Sequence, residues 1–226
     1  MSPESKRLSQ IFKDKNVDLV LDVGANLGQF AERLRNDADY TGQIISFEPL
    51  PETYSKLKEK CDQDPNWSCY KYALSSVSGK TKFHQMKNSQ FSSLLNPSAR
   101  ETNIFENMNT VQSVHDIEIY TLDSIWPEIV AEHRPNSTFL KLDTQGNDIN
   151  VIQGFLKNIE NVVGFQSEVY FTEIYKDTPK FRDALAFYEG LNFFISAMTL
   201  PNRGHYPRLI DMDVIMLNKR FFGEQS

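Results

Sequence analysis

The chain has 226 residues, of which 40% are hydrophobic and 24% are charged, and its formal net charge is -6. This length predicts one globular domain over residues 1–226, and the negative balance disfavours a nucleic-acid partner, because phosphate binding requires a basic surface. Two cysteines do not make a disulfide framework, and no apolar run approaches the roughly 18–20 residues of a transmembrane helix. We therefore expect a soluble, cytoplasmic protein without a membrane partner.

Short apolar runs alternate with helix-like stretches through the first third of the chain. The run Val17–Gly24 is β-branched and stops at a glycine, which is typical of a buried parallel strand. Helices are predicted at Gln29–Asp37 and Pro51–Cys61, and strands at Ile44–Phe47 and Trp67–Leu74. This alternation predicts a parallel sheet with right-handed crossovers.

The second half of the chain returns to the same alternation after an irregular middle. Strands are predicted at Gly79–Met86, Ile117–Leu122, Thr138–Leu142, Val162–Val169, Phe193–Ala197 and Asp213–Leu217, and helices at Asp148–Phe155 and Phe181–Leu191. A polar insertion at 88–113 is long enough to form a lid or a substrate loop. The pattern predicts an α/β fold with about seven core strands, mostly parallel, and helices on both faces of the sheet.

A glycine-containing loop, Asp22–Gly28, joins the first predicted strand to the first of these helices. Glycine lets the backbone approach a ligand closely, and the free N–H groups of the next helix then face that ligand. The dinucleotide pattern G-x-G-x-x-G would need two further glycines where Asn26 and Gln29 stand. The spacing resembles instead the G-x-G-x-G loop of class I methyltransferases, with Asn26 accepting the left-handed backbone of the middle glycine.

An acidic residue, Glu48, ends the second predicted strand, where a bound nucleoside would need one. Its carboxylate can accept hydrogen bonds from both ribose hydroxyls, and Pro49 fixes the direction in which the chain leaves the strand. The alternative is that the glycines only allow a turn and that Glu48 is a solvated loop acid. On the nucleoside interpretation, the cofactor-binding residues are Asp22, Gly24, Ala25, Asn26, Gly28, Glu48, Pro49, Ala73 and Leu74.

Longer runs of the sequence resemble the FkbM family of methyltransferases. They are VLDVGANLGQFA, ISFEPLPETYSKL, YALSSVSGKTKFH, IYTLDSI, FLKLDTQGNDINVIQG and SEVYFTEIY, within 18–217. The resemblance implies a Rossmann-like class I methyltransferase fold, S-adenosylmethionine (SAM) as cofactor, and methyl transfer to a hydroxyl of a sugar, a glycan or a cyclic polyol. The chain departs from the family pattern K-x-D-x-E-G-x-E at Gln145, where an uncharged amide replaces the first glutamate. Gln145 therefore cannot act as a base or as an anionic metal ligand.

Acidic residues near strand ends are the candidates for the base that an acceptor hydroxyl requires. In an open α/β sheet the site lies beyond the carboxyl ends of the strands, near Asp143 and Glu168. Asp143 is the first candidate, as base or substrate-orienting group, Glu168 is the second, and His205 in a turn-rich stretch is the third. The competing interpretations are a helix cap for Asp143, an acid satisfied by backbone groups for Glu168, and an exposed loop histidine for His205.

The expected substrate contacts are Ser92, Ser93 and Gln145, because many family members carry a similar serine pair. The alternative for the two serines is an ordinary polar loop. No metal ion is expected, since the spacing of the acids does not require one. Two other functions stay open at this point. One is methylation of RNA or protein, of which the acidic composition disfavours RNA, and the other is a SAM- or SAH-binding module without catalysis.

Overall fold

The structure is a computed structural model that describes residues 2–88, 91–96, 110–200 and 209–223. The helices are α1 (Pro3–Asp14), α2 (Gln29–Asp37), α3 (Pro51–Cys61), α4 (Leu122–His133), α5 (Asp148–Gln153), α6 (Phe181–Gly190) and α7 (Lys219–Phe222). The strands are β1 (Leu19–Val23), β2 (Gln43–Phe47), β3 (Trp67–Tyr70), β4 (Ala73–Leu74), β5 (Gly79–Met86), β6 (Val111–Tyr120), β7 (Thr138–Leu142), β8 (Val162–Tyr170), β9 (Phe193–Thr199) and β10 (Asp211–Asn218). Within these ranges, no helix has the length and apolar character needed to cross a membrane.

A seven-stranded sheet in the order β3-β2-β1-β7-β8-β10-β9 forms the centre of the molecule. The neighbours from β3 to β8 pair in parallel, whereas β10 runs antiparallel to both β8 and β9. The chain moves outward from β1 to β3 and then returns to β7 on the other side of β1. The carboxyl ends of β1 and β7 therefore meet at a topological switch point, where sheets of this kind bind ligands. This confirms the predicted α/β fold.

Helices cover both faces of the sheet, and β1 shows how its strands serve two cores. All five residues of β1 are buried, with Val20 packed on one face and Leu19, Leu21 and Val23 on the other. Successive strand side chains point to opposite faces, so a strand buried on both sides has a continuous apolar run. Helices α1, α2 and α3 pack on the Val20 face, and α4, α5 and α6 pack on the opposite face.

A second, three-stranded sheet in the order β4-β6-β5 corrects two of the predicted strands. The single strand predicted at Trp67–Leu74 is divided, because β3 pairs with β2 in the main sheet whereas β4 pairs with β6 in the small one. The strand predicted at Ile117–Leu122 begins earlier, at Val111, and ends at Tyr120. Thr121 then caps α4 by accepting a hydrogen bond from the backbone N–H of Ser124.

Helices α1 and α4 were not predicted from the sequence. In α1 the buried residues Leu8, Ile11 and Phe12 follow helical spacing, but charged residues surround them in the sequence and obscure the pattern. The insertion at 88–113 is described only in part, since residues 89–90 and 97–109 lie outside the described ranges. A lid or substrate loop at 88–113, like a single domain over 1–226, therefore stays a prediction.

Candidate functional site

A cavity of about 540 Å³ lies at the carboxyl edge of the parallel strands. The loop after β1, the end of β2 and the residues that follow β7 form its walls, together with parts of the small sheet. Its size falls within the range of about 300–1,000 Å³ that is typical of small-molecule sites. Of the predicted cofactor residues, those that line it are Asp22, Gly24, Ala25, Asn26, Glu48, Pro49, Ala73 and Leu74.

The loop after β1 owes its shape to three residues with left-handed backbone angles. The φ angles are +81° at Gly24, +49° at Asn26 and +82° at Gly28. A Cβ at Gly24 would lie 2.1 Å from the carbonyl oxygen of Asp143, so only glycine lets this loop rest against the end of β7. Gly28 is absent from the cavity lining, and a Cβ there would lie 2.6 Å from the ring of Trp67. Its close contact is therefore with the core beneath the loop.

The carboxylate of Glu48 links the two segments that border the cavity on the β2 side. One oxygen, Oε2, accepts a hydrogen bond from the backbone N–H of Asn26 at 3.0 Å, and Oε1 accepts one from Leu50 at 2.9 Å. The residue is 6% exposed, and burial raises the pKa of its carboxyl to about 7 despite these two hydrogen bonds. Each oxygen keeps a second lone pair, so the carboxylate can still accept hydrogen bonds from a ligand.

A row of buried polar side chains crosses the sheet beneath the loop. Trp67 Nε1 donates to Ser46 Oγ at 2.9 Å, and that hydroxyl donates to Asp22 Oδ2 at 3.2 Å. Lys141 stands beside Asp22 on β7, and its Nζ lies 3.1 Å from Oδ2 of Asp143. Burial opposes the charge of Lys141, but the carboxylates around it, chiefly that of Asp143, raise its pKa above the ordinary value. Lys141 was not predicted as a site residue, although it begins the K-x-D-x-E-G-x-E pattern.

The amide of Gln145 joins the two predicted catalytic acids. Its Nε2 donates to Asp143 Oδ1 at 2.8 Å and to Glu168 Oε2 at 3.2 Å. Its Oε1 accepts a hydrogen bond from the Tyr175 hydroxyl at 2.8 Å, which fixes the amide orientation and turns the N–H groups toward both carboxyls. The structure therefore brings Asp143, Gln145 and Glu168 together at the cavity wall.

Glu168 differs from Asp143 in its surroundings. Burial, followed by the nearby charge of Asp143, raises the pKa of the Glu168 carboxyl well above its ordinary value. The Tyr170 hydroxyl donates a hydrogen bond to Oε2 of the same carboxyl. Asp143, by contrast, is paired with the Lys141 ammonium. These surroundings favour the protonated form of Glu168 more than those of an ordinary glutamate do, which makes it a weaker candidate for the base than Asp143.

Asp148, rather than Asp143, supports the turn into α5. Its Oδ1 accepts hydrogen bonds from the backbone N–H and the hydroxyl of Thr144. Its Oδ2 accepts from Ser167 Oγ at 2.8 Å and from the backbone N–H of Glu168 at 3.1 Å. The helix-cap interpretation does not describe Asp143, because the N-cap residue of α5 is Asn147 and Asp143 lines the cavity.

The two predicted serines occupy different positions. Ser92 lines the cavity, and its Oγ accepts a hydrogen bond from the backbone N–H of Met86 at 3.1 Å. Ser93 is buried outside the cavity lining, and its Oγ donates to the carbonyl oxygen of Gln145 at 2.7 Å. It therefore supports the backbone of Gln145. His205 lies outside the described residues.

Among the described residues, no group of three or more histidine, cysteine, aspartate or glutamate residues is arranged to hold a metal ion. Metal independence stays a prediction. Two further side chains at the cavity wall, Arg33 and Gln166, were not anticipated from the sequence. Each belongs to an element whose type was predicted, but nothing in the local sequence marks either residue as facing a ligand.

Comparison with known sequences places these observations in a family context. The family model described as "Methyltransferase FkbM domain" matches residues 22–195. Over 148 residues the chain is 26% identical to the hexuronic acid methyltransferase AglP of Haloferax volcanii, an alignment that covers 64% of this chain and 53% of that protein. The chain thus spans about half the length of this curated relative.

Comparison with solved structures supports the fold. The methyltransferase FkbM from Methylobacillus flagellatus has a TM-score of 0.52 at 12% identity, covering 89% of this chain and 44% of that chain. Magnesium protoporphyrin IX methyltransferase from Synechocystis, solved with bound SAM, has a TM-score of 0.51 at 8% identity, covering 95% of this chain and 78% of that one. Likeness at these identities shows the fold alone, and it confirms the Rossmann-like class I methyltransferase architecture.

Proposed function

The chain belongs to the FkbM methyltransferase family, and from this premise we propose that it transfers a methyl group from SAM to a hydroxyl of a sugar, a glycan or a cyclic polyol. The observation that carries the proposal is that one cavity is lined by both Glu48, which could bind a ribose, and Asp143, the first candidate for the base. The hexuronic acid methyltransferase relative supports the sugar class of acceptor.

The residues around Glu48 fit the adenosine part of SAM. The Glu48 carboxylate has lone pairs for the ribose hydroxyls, and Leu50 and Leu74 offer apolar surface for a purine ring in the same cavity. Gly24 lets the loop after β1 rest against the end of β7, which keeps the loop in place at the cavity wall. When bound, SAM supplies an electrophilic methyl group.

The two acids on the acceptor side have different surroundings, because Asp143 is paired with Lys141 whereas Glu168 accepts a hydrogen bond from Tyr170. In our proposal, Asp143 accepts the proton that the acceptor hydroxyl loses during attack, and Lys141 holds the carboxylate in place through its ion pair. In its protonated form, which its surroundings favour, Glu168 donates a hydrogen bond to an oxygen of the acceptor. Gln145 keeps the two carboxyls in fixed positions, because its amide donates to both of them.

The first experiment is calorimetric titration of the purified protein with S-adenosylhomocysteine (SAH), with NADH as the control. We expect binding of SAH and no heat from NADH. If SAH binds, incubation with SAM and a panel of glycosides and polyols should add one methyl mass to an acceptor. Failure to bind SAH would overturn the proposal, whereas binding without transfer to any sugar, RNA or protein would favour a non-catalytic module.

Affinity for SAH is expected to depend on pH through Glu48. Ribose hydroxyls donate to the ionised carboxylate, so binding favours loss of the proton, and the pKa of Glu48 in the free protein is about 7. The affinity should therefore rise by up to about tenfold per unit between pH 6 and 7 and level off above pH 8. Calorimetry in buffers of different ionisation enthalpy should also detect proton release on binding near pH 6.5.

The control for this prediction is Glu48→Gln, which has no ionisable group at that position. Its affinity should be lower than that of the wild type at pH 8 and should change much less between pH 6.5 and 8. A wild-type affinity that does not change over this range would contradict the assignment of Glu48 to the ribose.

A further inference from the structure

A group of three polar side chains, those of Glu4, Arg33 and Gln166, lies at the β8 side of the cavity. It has no role in the function proposed above. Glu4 of α1 holds it together, because its carboxylate accepts from Arg33 Nη2 at 3.0 Å and from Gln166 Nε2 at 2.8 Å. Three separate elements, α1, α2 and β8, thus meet at one point. Both Arg33 and Gln166 line the cavity, and Gln166 is only 1% exposed.

Two atoms of this group lack partners. In the described part of the chain, Nε of Arg33 and Oε1 of Gln166 are buried and have no hydrogen-bond partner. A buried polar atom without a partner costs about 1–3 kcal/mol, so such atoms need an explanation. One of the two is a charged donor and the other is a neutral acceptor. A ligand that satisfies both must present an acceptor and a donor close together.

The charges around these atoms favour a ligand that carries both signs. The Arg33 guanidinium attracts a carboxylate and binds it with a defined geometry. The buried carboxylate of Asp22 and the partly buried carboxylate of Asp213 line the same cavity and favour an ammonium group. An α-amino acid presents both groups on one carbon.

The register of the sheet relates this group to the proposed nucleoside site. Ser46, Asp22, Lys141 and Gln166 are consecutive partners across β2, β1, β7 and β8. Glu48 follows β2, so the cavity extends from the ribose position across the loop after β1 toward Gln166. In SAM, the chain that extends from the ribose ends in an α-amino-carboxylate.

We propose that Arg33 and Gln166 form the binding site for the amino-acid end of SAM. Arg33 donates through Nε to the carboxylate of the ligand, and Gln166 accepts through Oε1 from its ammonium group. Glu4 positions both side chains. The inference rests on the proposed use of SAM and adds the residues that would distinguish SAM from other adenosine compounds.

The test compares two ligands that differ only at this end. SAH carries the amino-acid group, whereas 5′-methylthioadenosine has the same adenosine and thioether without it. For Arg33→Leu, we expect calorimetric affinity for SAH to fall about ten- to hundredfold, as for loss of a hydrogen bond between charged groups. Affinity for methylthioadenosine should stay within about twofold. Gln166→Leu should show the same selective loss with a smaller magnitude.

Two further variants complete the design. Arg33→Lys keeps the charge and lacks Nε, so it should also lose SAH affinity selectively, and it serves if the leucine variant does not fold. Glu48→Gln should weaken both ligands equally, because both contain the ribose. Equal weakening of both ligands by Arg33→Leu or Arg33→Lys, or no change in either, would overturn the inference. If the wild type binds neither ligand, the proposed function itself fails.

Discussion

Replacing Asp143 by asparagine should lower the rate of methyl transfer by about 10²- to 10⁴-fold, the usual contribution of a positioned base. Asparagine keeps the shape of the side chain and can still accept a hydrogen bond from Gln145, but it cannot take a proton from the acceptor. The Glu48 carboxylate is held by the backbone N–H groups of Asn26 and Leu50. Asp143 lines the same cavity but contacts neither of these groups. Affinity for SAH, measured by calorimetry, should therefore change little. The loss of methyl transfer is measured by single-turnover kinetics on the same variant.

The matched variant for this prediction is Glu168→Gln. Glu168 acts in its protonated form in our proposal, so an amide that donates a hydrogen bond should replace it with a loss of less than about tenfold. The reverse ranking, in which Glu168→Gln loses most of the rate and Asp143→Asn retains it within a few-fold, would exchange the roles of the two acids. Equal and large losses in both would indicate that the pair acts as a unit.

Replacing Gly24 by alanine should destabilise the fold by about 3 kcal/mol or more and prevent SAH binding. An L-residue at a φ of +81° is strained, and its Cβ would lie 2.1 Å from the carbonyl oxygen of Asp143. That oxygen belongs to the backbone at the end of β7, so it cannot move aside as a flexible side chain would. Urea denaturation measures the stability change, and calorimetry measures the affinity.

Gly190 provides the control for this substitution. It is the last residue of α6, and among the described residues no atom lies within 4 Å of a Cβ built there. Alanine should therefore be neutral or slightly stabilising at Gly190, because it reduces the freedom of the unfolded chain. A Gly24→Ala protein as stable as Gly190→Ala, with unchanged SAH affinity, would contradict the close packing of the loop against β7.

The parts of the fold that could be predicted are those with a local pattern. Strand β1 and the loop after it are recognisable because the strand is buried on both faces and the turn requires left-handed residues. The division of Trp67–Leu74 between two sheets could not be predicted, since the pairing of β4 with β6 depends on a strand almost 50 residues later. Local sequence carries no information about such a partner.

The residues of the candidate site could likewise be predicted only where local sequence marks them. Glu48 and Asp143 follow buried strands, and their place in the chain is enough to locate them at one edge of the sheet. Arg33 lies in the middle of an amphipathic helix and Gln166 in the middle of a strand, where both would ordinarily be read as surface or packing residues. Their contacts with Glu4, which is far from both in the sequence, are visible only in the folded structure.

The buried acids of the cavity also have a consequence for the stability of the free protein. The pKa of Glu48 is raised from 4.5 to about 7 and that of Asp22 from 3.8 to about 6, in both cases mainly by burial. The folded state therefore holds these protons more tightly than the unfolded chain does, and folding stability declines as the pH rises from about 4 to 7. Urea denaturation should show a more stable free protein at pH 5.5 than at pH 8. Because SAH binds only the folded protein, it should restore part of the lost folding stability at pH 8. The concentration of SAH would then determine the fraction of the protein that is folded at that pH.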